Sequence, residues 1–111
     1  RHNGENACAA YGALRLAGLR GDEIVPHMLT YPGLAHRMEE VGRIGATLFI
    51  NDSKATNEES TEKALAAWPG GIHVILGGKA KDAGIEALRP YFPRIAKAYL
   101  IGAATEMFAA T

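Results

Sequence analysis

Cysteine is almost absent. Cys8 is the single thiol in 111 residues, which excludes an internal disulfide and a cysteine-built metal cluster and points to a reducing, cytoplasmic setting. An excess of either charge is absent as well. Twelve Lys and Arg balance twelve Asp and Glu, so no long-range field gathers nucleic acid or coats a membrane. No apolar run approaches membrane-spanning length, and Arg1-His2-Asn3 has no apolar core behind it to make a targeting segment. The histidines His2, His27, His36 and His73 show no metal-ligand spacing. There is also no glycine-rich phosphate loop ending in Gly-Lys-Ser/Thr, and no nucleophile–base pairing stands out. The chain starts without methionine and stops at Thr111 inside a helical pattern. Both ends look cut, and the expectation is a piece of a longer protein.

What is present is an α/β pattern. Residues from about Glu5 to Leu19 predict a helix with Ala7, Ala10, Tyr11, Leu14 and Ala17 on one face, stopped by Gly18 and Gly21. Cys8 beside that stripe reads as a small buried side chain. Asp22 is expected to cap a second helix through about Thr30, with Pro26 near its first turn, where a missing amide hydrogen costs little. Tyr31-Pro32-Gly33 breaks the pattern and marks the expected domain boundary, 1–31 against 32–111. Two strands of a hairpin follow, Arg37 to Ile44 and Ala46 to Ile50, with Gly45 near the turn. Thr56 and Glu59 form a capping-box pattern opening a helix through Trp68. A buried-type strand, His73 to Leu76, runs into Gly77-Gly78. A helix is expected around Ile85 to Tyr91, a strand over Ala98 to Ile101 and a last helix from near Ala103. Strand and helix alternate three times, which implies a mostly parallel sheet with right-handed crossovers, a Rossmann-like three-layer α/β fold.

Parallel strands put their C-terminal ends on one edge, where ligands of open α/β sheets bind. Asp52 to Thr56, within Asn51-Asp52-Ser53-Lys54-Ala55-Thr56-Asn57, Gly77 to Lys81, and Gly102 each follow such an end, so these segments are expected to converge in space although they are far apart in sequence. Lys54 is a point charge suited to phosphate or carboxylate, and the free amides of the next helix favour an anion too. Asp52 could accept from ribose hydroxyls, and Thr56 and Asn57 could equally be mere helix caps. Gly77-Gly78-Lys79-Ala80-Lys81 is a twice-basic loop whose glycines would let the backbone approach a ligand, or a solvated turn. His36-Arg37 is either a clamp for phosphate and a flat ring or surface decoration. Asn3 and Asn6, one turn apart, could read a purine edge or phosphate oxygens, or cap a helix. The residues amount to half of a nucleotide or carboxylate site, without the part that does phosphoryl chemistry.

Three segments together carry a family resemblance. Arg1-His2-Asn3-Gly4-Glu5-Asn6 resembles the His-Asn-x-x-Asn signature at the end of the central ATPase domain of Mur ligases. Pro32-Gly33-Leu34-Ala35-His36-Arg37-Met38-Glu39 resembles the linker and first strand of their C-terminal domain. Asn51 to Asn57 resembles the next motif in the form found in the D-glutamate-adding branch; other Mur ligases and folylpolyglutamate synthases typically differ there. The resemblance covers essentially the whole chain in order. It implies ATP-dependent ligation: ATP phosphorylates the carboxylate of UDP-N-acetylmuramoyl-L-alanine, and the amine of D-glutamate displaces phosphate. It implies nucleotide contacts for Asn3, Asn6, His36, Arg37 and Asp52. Lys54 would act near the phosphates, Thr56 near the incoming amino acid, and Lys81 on a D-glutamate carboxylate. The Mg2+ ligands would lie outside this chain, together with the UDP-sugar domain, the phosphate loop and a final serine-rich segment. Alone, the piece is expected to lack ligase activity and to bind ATP at roughly millimolar affinity or worse. It is also expected to dimerise or to fold its N-terminal helices onto the sheet. Two alternatives stand beside this reading: another amide ligase of the Mur or folylpolyglutamate-synthase type, and a non-catalytic module that binds nucleotides or acidic ligands.

Overall fold

A computed structural model describes residues 2–79 and 84–111, with side chains from Gly4 onward. It divides into two compact units, residues 1–34 and 35–111.

The first unit is a helix pair. α1 spans His2–Leu16 and α2 Gly21–Leu29. α1 ends as its glycine foretold: Gly18 sits at φ 96°, with Leu19 N–H donating to Leu14 O (3.1 Å) and Gly18 N–H to Arg15 O (3.1 Å). This paired closure satisfies carbonyls that the helix leaves open. α2 begins two residues earlier than a cap at Asp22 implies. Arg20 is its N-cap residue, and Glu23 reaches back to accept from Arg20 N–H at 2.8 Å. The earlier start puts Pro26 inside the helix, in the second turn, where its missing N–H removes a helical bond. Cys8 is exposed, not buried. Ala7, Cys8 and Tyr11 of α1 face Val25, Met28 and Leu29 of α2 across an open apolar groove, and among the described residues of this unit only Ile24, 2% exposed, is buried.

The second unit carries the sheets. β1 (Glu39–Ile44) and β2 (Thr47–Asn51) form an antiparallel hairpin, with Ile44 opposite Thr47 and a bulge between Glu40 and Gly42. Gly45 at φ 57° opens the two-residue turn, where a tight hairpin wants glycine first. α3 (Glu58–Ala66) is capped by Asn57, whose side chain accepts from Ser60 N–H at 2.8 Å. The cap is thus one residue past the expected Thr56. β3 (Ile72–Gly77) pairs in parallel with β4 (Ile95–Ile101). Their crossover runs through Glu86–Arg94, which is a 3-10 helix rather than the expected α-helix. Pro90 and Pro93 lie within it, and two missing N–H groups leave an α ladder unable to form. α4 (Thr105–Ala109) closes the chain.

The α/β class holds, with one parallel pair. The expected alignment of β2 with β3 and β4 does not: β2 pairs with β1, β3 pairs with β4, and they form separate two-stranded sheets. A hairpin closed by two residues is the cheapest contact to form, whereas joining β2 to β3 needs a crossover.

The core lies on one face of β3–β4. Leu65 of α3, Ile85 and Leu88 are buried, with Ile72, Leu76, Tyr91, Phe92, Ile95 and Phe108 packed around them. The 3-10 segment is tied to α3 at both ends of the contact. Tyr91 Oη donates to Glu62 Oε1 at 2.8 Å. Arg94 Nη1 donates to Ala66 O and Trp68 O, both at 3.1 Å, which places a cation on the C-terminal carbonyls of α3. Accepting Tyr91's hydroxyl hydrogen, Glu62 pushes the Tyr91 pKa above the usual 10.0. A raised phenol pKa favours the folded state while the proton is held and loses that contribution as pH rises through the folded value. Alkaline titration of stability above about pH 10 is expected to fall more steeply in the native chain than in Tyr91→Phe; parallel curves would refute the coupling.

Candidate functional site

The segment leading into β1 and the segment leaving β2 are stitched together. Residues 36–39 and 51–54 face each other because the hairpin pairs Glu39 with Asn51. Lys54 N–H donates to His36 O at 3.0 Å. Met38 N–H donates to Asp52 Oδ1 at 2.9 Å, and His36 N–H donates to Glu39 Oε2 at 2.7 Å. Asn51 Nδ2 lies 2.8 Å from His36 Nδ1 and 3.5 Å from Glu39 Oε2, while Asn51 Oδ1 accepts from Ser53 N–H at 3.2 Å. Ala55 N–H closes a turn onto Asp52 O at 2.8 Å, and Thr56 N–H bonds Lys54 O at 2.9 Å.

This loop stores backbone strain. His36 (φ 64°) and Met38 (φ 45°) both adopt left-handed conformations, each of which costs a residue with a Cβ about 1–2 kcal/mol. The strain persists because the amides of both residues are held by carboxylates, His36 by Glu39 and Met38 by Asp52. Over-determined strain of this kind concentrates where proteins position ligands. The effect here is to present the His36 and Arg37 side chains, both exposed, beside exposed Lys54. An imidazole ring and two cationic side chains on one rim suit a phosphorylated, planar ligand.

The sequence-nominated residues therefore divide. His36, Asp52 and Lys54 are drawn together in one rim, with exposed Arg37 following His36, and Thr56 stands exposed between that rim and the α3 cap. Asn6 is exposed on α1, in the other unit. The Asn3 side chain and Lys81 lie outside the described residues. Gly77-Gly78 serves β4 in this structure. A Cβ at Gly77 would sit 2.6 Å from Ile101 Cγ1, and one at Gly102 3.1 Å from Gly78 N, so these glycines are required by the protein's own backbone.

Sequence reasoning passed over Glu39 and Asn51, although both lie within the segments that drew attention. The signal was a carboxylate three residues after His36 and an amide at the end of β2, both residue types that bond nearby backbone groups. It also cast Asp52 only as a ligand contact, and the structure adds a bracing role. Asp52→Asn keeps an oxygen for Met38 N–H and Asp52→Ala does not. The alanine variant is expected to lose about 1–2 kcal/mol of stability and the asparagine variant well under half of that. Equal losses in urea titrations would show that the brace is not what Asp52 supplies.

A hairpin and a parallel β–crossover–β unit, with exposed cationic side chains near the end of β2, describe an α/β domain. Residues 36–111 match the family of the Mur ligase glutamate ligase domain, and the chain belongs to that family. It is 56% identical over 110 residues, 99% of its length, to UDP-N-acetylmuramoylalanine--D-glutamate ligase of Brucella abortus. It is 55% identical over its full 111 residues to the enzyme of that name from Chelativorans sp., and 52% to that of Caulobacter vibrioides. The chain spans about a quarter of the length of these relatives, 23–24%.

Proposed function

We propose that this chain is part of an ATP-dependent ligase that joins D-glutamate to UDP-N-acetylmuramoyl-L-alanine in peptidoglycan precursor synthesis in the bacterial cytoplasm. The observation that carries the reading is identity of 52–56% to ligases of that name along essentially the whole chain. Residues 1–31 are then the helical tail of the central ATP-binding domain, and 32–111 the first part of the amino-acid-binding domain.

The rim suits a nucleotide by its donor set: an imidazole, a guanidinium and an ammonium, all exposed around a braced backbone. It offers no equivalent for a metal. Among the described residues no three His, Cys, Asp or Glu groups gather where they could hold one; the Mg2+ ligands that the family resemblance implies are assigned in this reading to the remainder of the parent protein. Bound ATP supplies a phosphoryl group that activates the substrate carboxylate. This chain's residues hold and orient. His36 and Arg37 flank the nucleoside, Asp52 fixes the loop that carries them, and Asn3 and Asn6 are the nucleotide contacts that the family resemblance implies. Lys54 offsets charge that builds on the transferring phosphate and the acyl intermediate. Thr56 and Lys81 are the contacts this reading assigns to the incoming amino acid, whose two carboxylates call for a fixed cation.

The test is an amine competition in the parent-length enzyme supplied with ATP, Mg2+ and UDP-N-acetylmuramoyl-L-alanine. D-Glutamate is expected to drive phosphate release in preference to L-glutamate, L-lysine and meso-diaminopimelate. Lys54→Ala is expected to lower kcat by about 100-fold. Preference for another amine would assign the chain to a different ligase, and ATP-independent D-glutamate binding alone would favour a non-catalytic module.

A further inference from the structure

We propose that Asn51 is a positioning residue that holds the neutral His36 ring as its Nε2–H tautomer, so that the rim presents an N–H donor to an acceptor atom of the nucleotide. The inference deepens the ligase reading above and rests on it for the identity of the ligand.

The argument starts from a group whose role cannot be reversed. A backbone N–H only donates, and Ser53 N–H points at the Asn51 side chain at 3.2 Å. The atom it meets is therefore the amide oxygen, which settles the orientation of an otherwise ambiguous carboxamide. The amide nitrogen then faces His36 Nδ1 at 2.8 Å. An NH2 group has no lone pair to offer, so Nδ1 must accept, and in the neutral ring the hydrogen resides on Nε2.

Glu39 is the competing influence. Its Oε2 lies 3.8 Å from His36 Nδ1, beyond hydrogen-bond reach. That oxygen already accepts from His36 N–H at 2.7 Å and stands 3.5 Å from Asn51 Nδ2. The carboxylate thus orients the histidine backbone and the amide rather than claiming the ring proton. The ring's other nitrogen is turned from Asn51, on a side chain 56% exposed. A donor so oriented has its hydrogen-bonding direction set before the ligand arrives, which lowers the ordering cost of binding.

The tautomer is read directly by long-range 1H–15N correlation on the 15N-labelled 111-residue chain at about pH 8, where an ordinary imidazole is neutral. His36 is expected to show a protonated Nε2 and an unprotonated Nδ1. Asn51→Asp replaces the facing donor by an acceptor and is expected to reverse the pattern; Asn51→Ala is expected to give a mixture. A native chain with Nδ1 protonated, or an Asn51→Asp variant with the native pattern, would overturn the proposal. If the variants do not fold, the native spectrum alone decides it. In the parent-length enzyme, Asn51→Asp is expected to raise KM for ATP at least fivefold with a smaller change in kcat. An unchanged KM would overturn the nucleotide-facing role of the donor. Because the spectrum is recorded without nucleotide, failure of the ligase assay would sink the ligase reading and leave the tautomer result distinguishable from it.

Discussion

Replacing Leu88 by alanine is expected to remove about 4 kcal/mol from the stability of residues 35–111. Leu88 is 1% exposed and sits with Leu65 and Ile85 at the middle of the core. The loss has two parts, the transfer free energy of the deleted atoms and the cavity they leave. The cavity part is large where neighbours cannot collapse. Leu88 lies in a 3-10 segment that contains Pro90 and Pro93, whose φ angles are locked, and which is pinned to α3 through Tyr91 and Arg94. The segment cannot settle into the gap. Urea titration followed by far-UV circular dichroism measures the change as a lower midpoint. A midpoint shift worth less than about 1 kcal/mol would mean that the core is not organised around this residue.

Gly77→Ala is expected to cost about 3 kcal/mol or more, at the upper end for overpacking. The reason is what the new methyl would meet. It would lie 2.6 Å from Ile101 Cγ1 and 2.8 Å from Ile101 C, and closest of all to the Ile101 carbonyl oxygen. Ile101 is the register partner of Gly77; turning its Cγ1 aside relieves only one contact, because the carbonyl carbon and oxygen belong to paired backbone. The strands must part at their C-terminal ends. Parting them breaks Gly78 N–H to Ile101 O (3.3 Å) and Ala104 N–H to Gly78 O (3.0 Å), and with them the seat of the buried Ala104. Gly70→Ala is the control: its methyl would have 4.0 Å to the nearest atom, Arg94 O, and is expected to be nearly neutral. Amide exchange at Ala104 should quicken in the Gly77 variant alone. Protection equal to the native chain would show that the strands tolerate the methyl.

The two expectations bear on function through the same strand. Leu76 packs on the Leu88 cluster, and Gly77-Gly78 follow directly. Losing the core beneath β3 and forcing its end from β4 both unsettle the turn at Gly78 and Lys79. Distant packing variants of this kind disturb catalysis by misplacing groups rather than by removing them.

Much of the fold was legible because the deciding forces are local. Gly18 stops α1 by its own backbone freedom, and Gly45 opens the hairpin turn for the same reason. The amide and hydroxyl residues before α3 announce a cap, with the uncertainty of one residue that separates Thr56 from Asn57. The 3-10 segment could have been read from Pro90 and Pro93, since two missing donors within nine residues defeat an α ladder; the apolar spacing of Ile85, Leu88 and Tyr91 suits either helix. Strand pairing was less legible. The period-2 pattern of β2 says that it is a strand and says nothing of its neighbour.

By itself, then, the amino-acid string determined the α/β class and the hairpin, because turn chemistry and short-range pairing act over a few residues, and it nominated His36, Arg37, Asp52 and Lys54 one by one rather than as a group. Tertiary structure alone decided that β2 stays with β1 and that Gly77 is kept small by Ile101. It also decided that His36 and Met38 are held left-handed by Glu39 and Asp52. Each of these depends on which atoms meet across a gap in sequence, and such meetings are settled only when the whole unit packs.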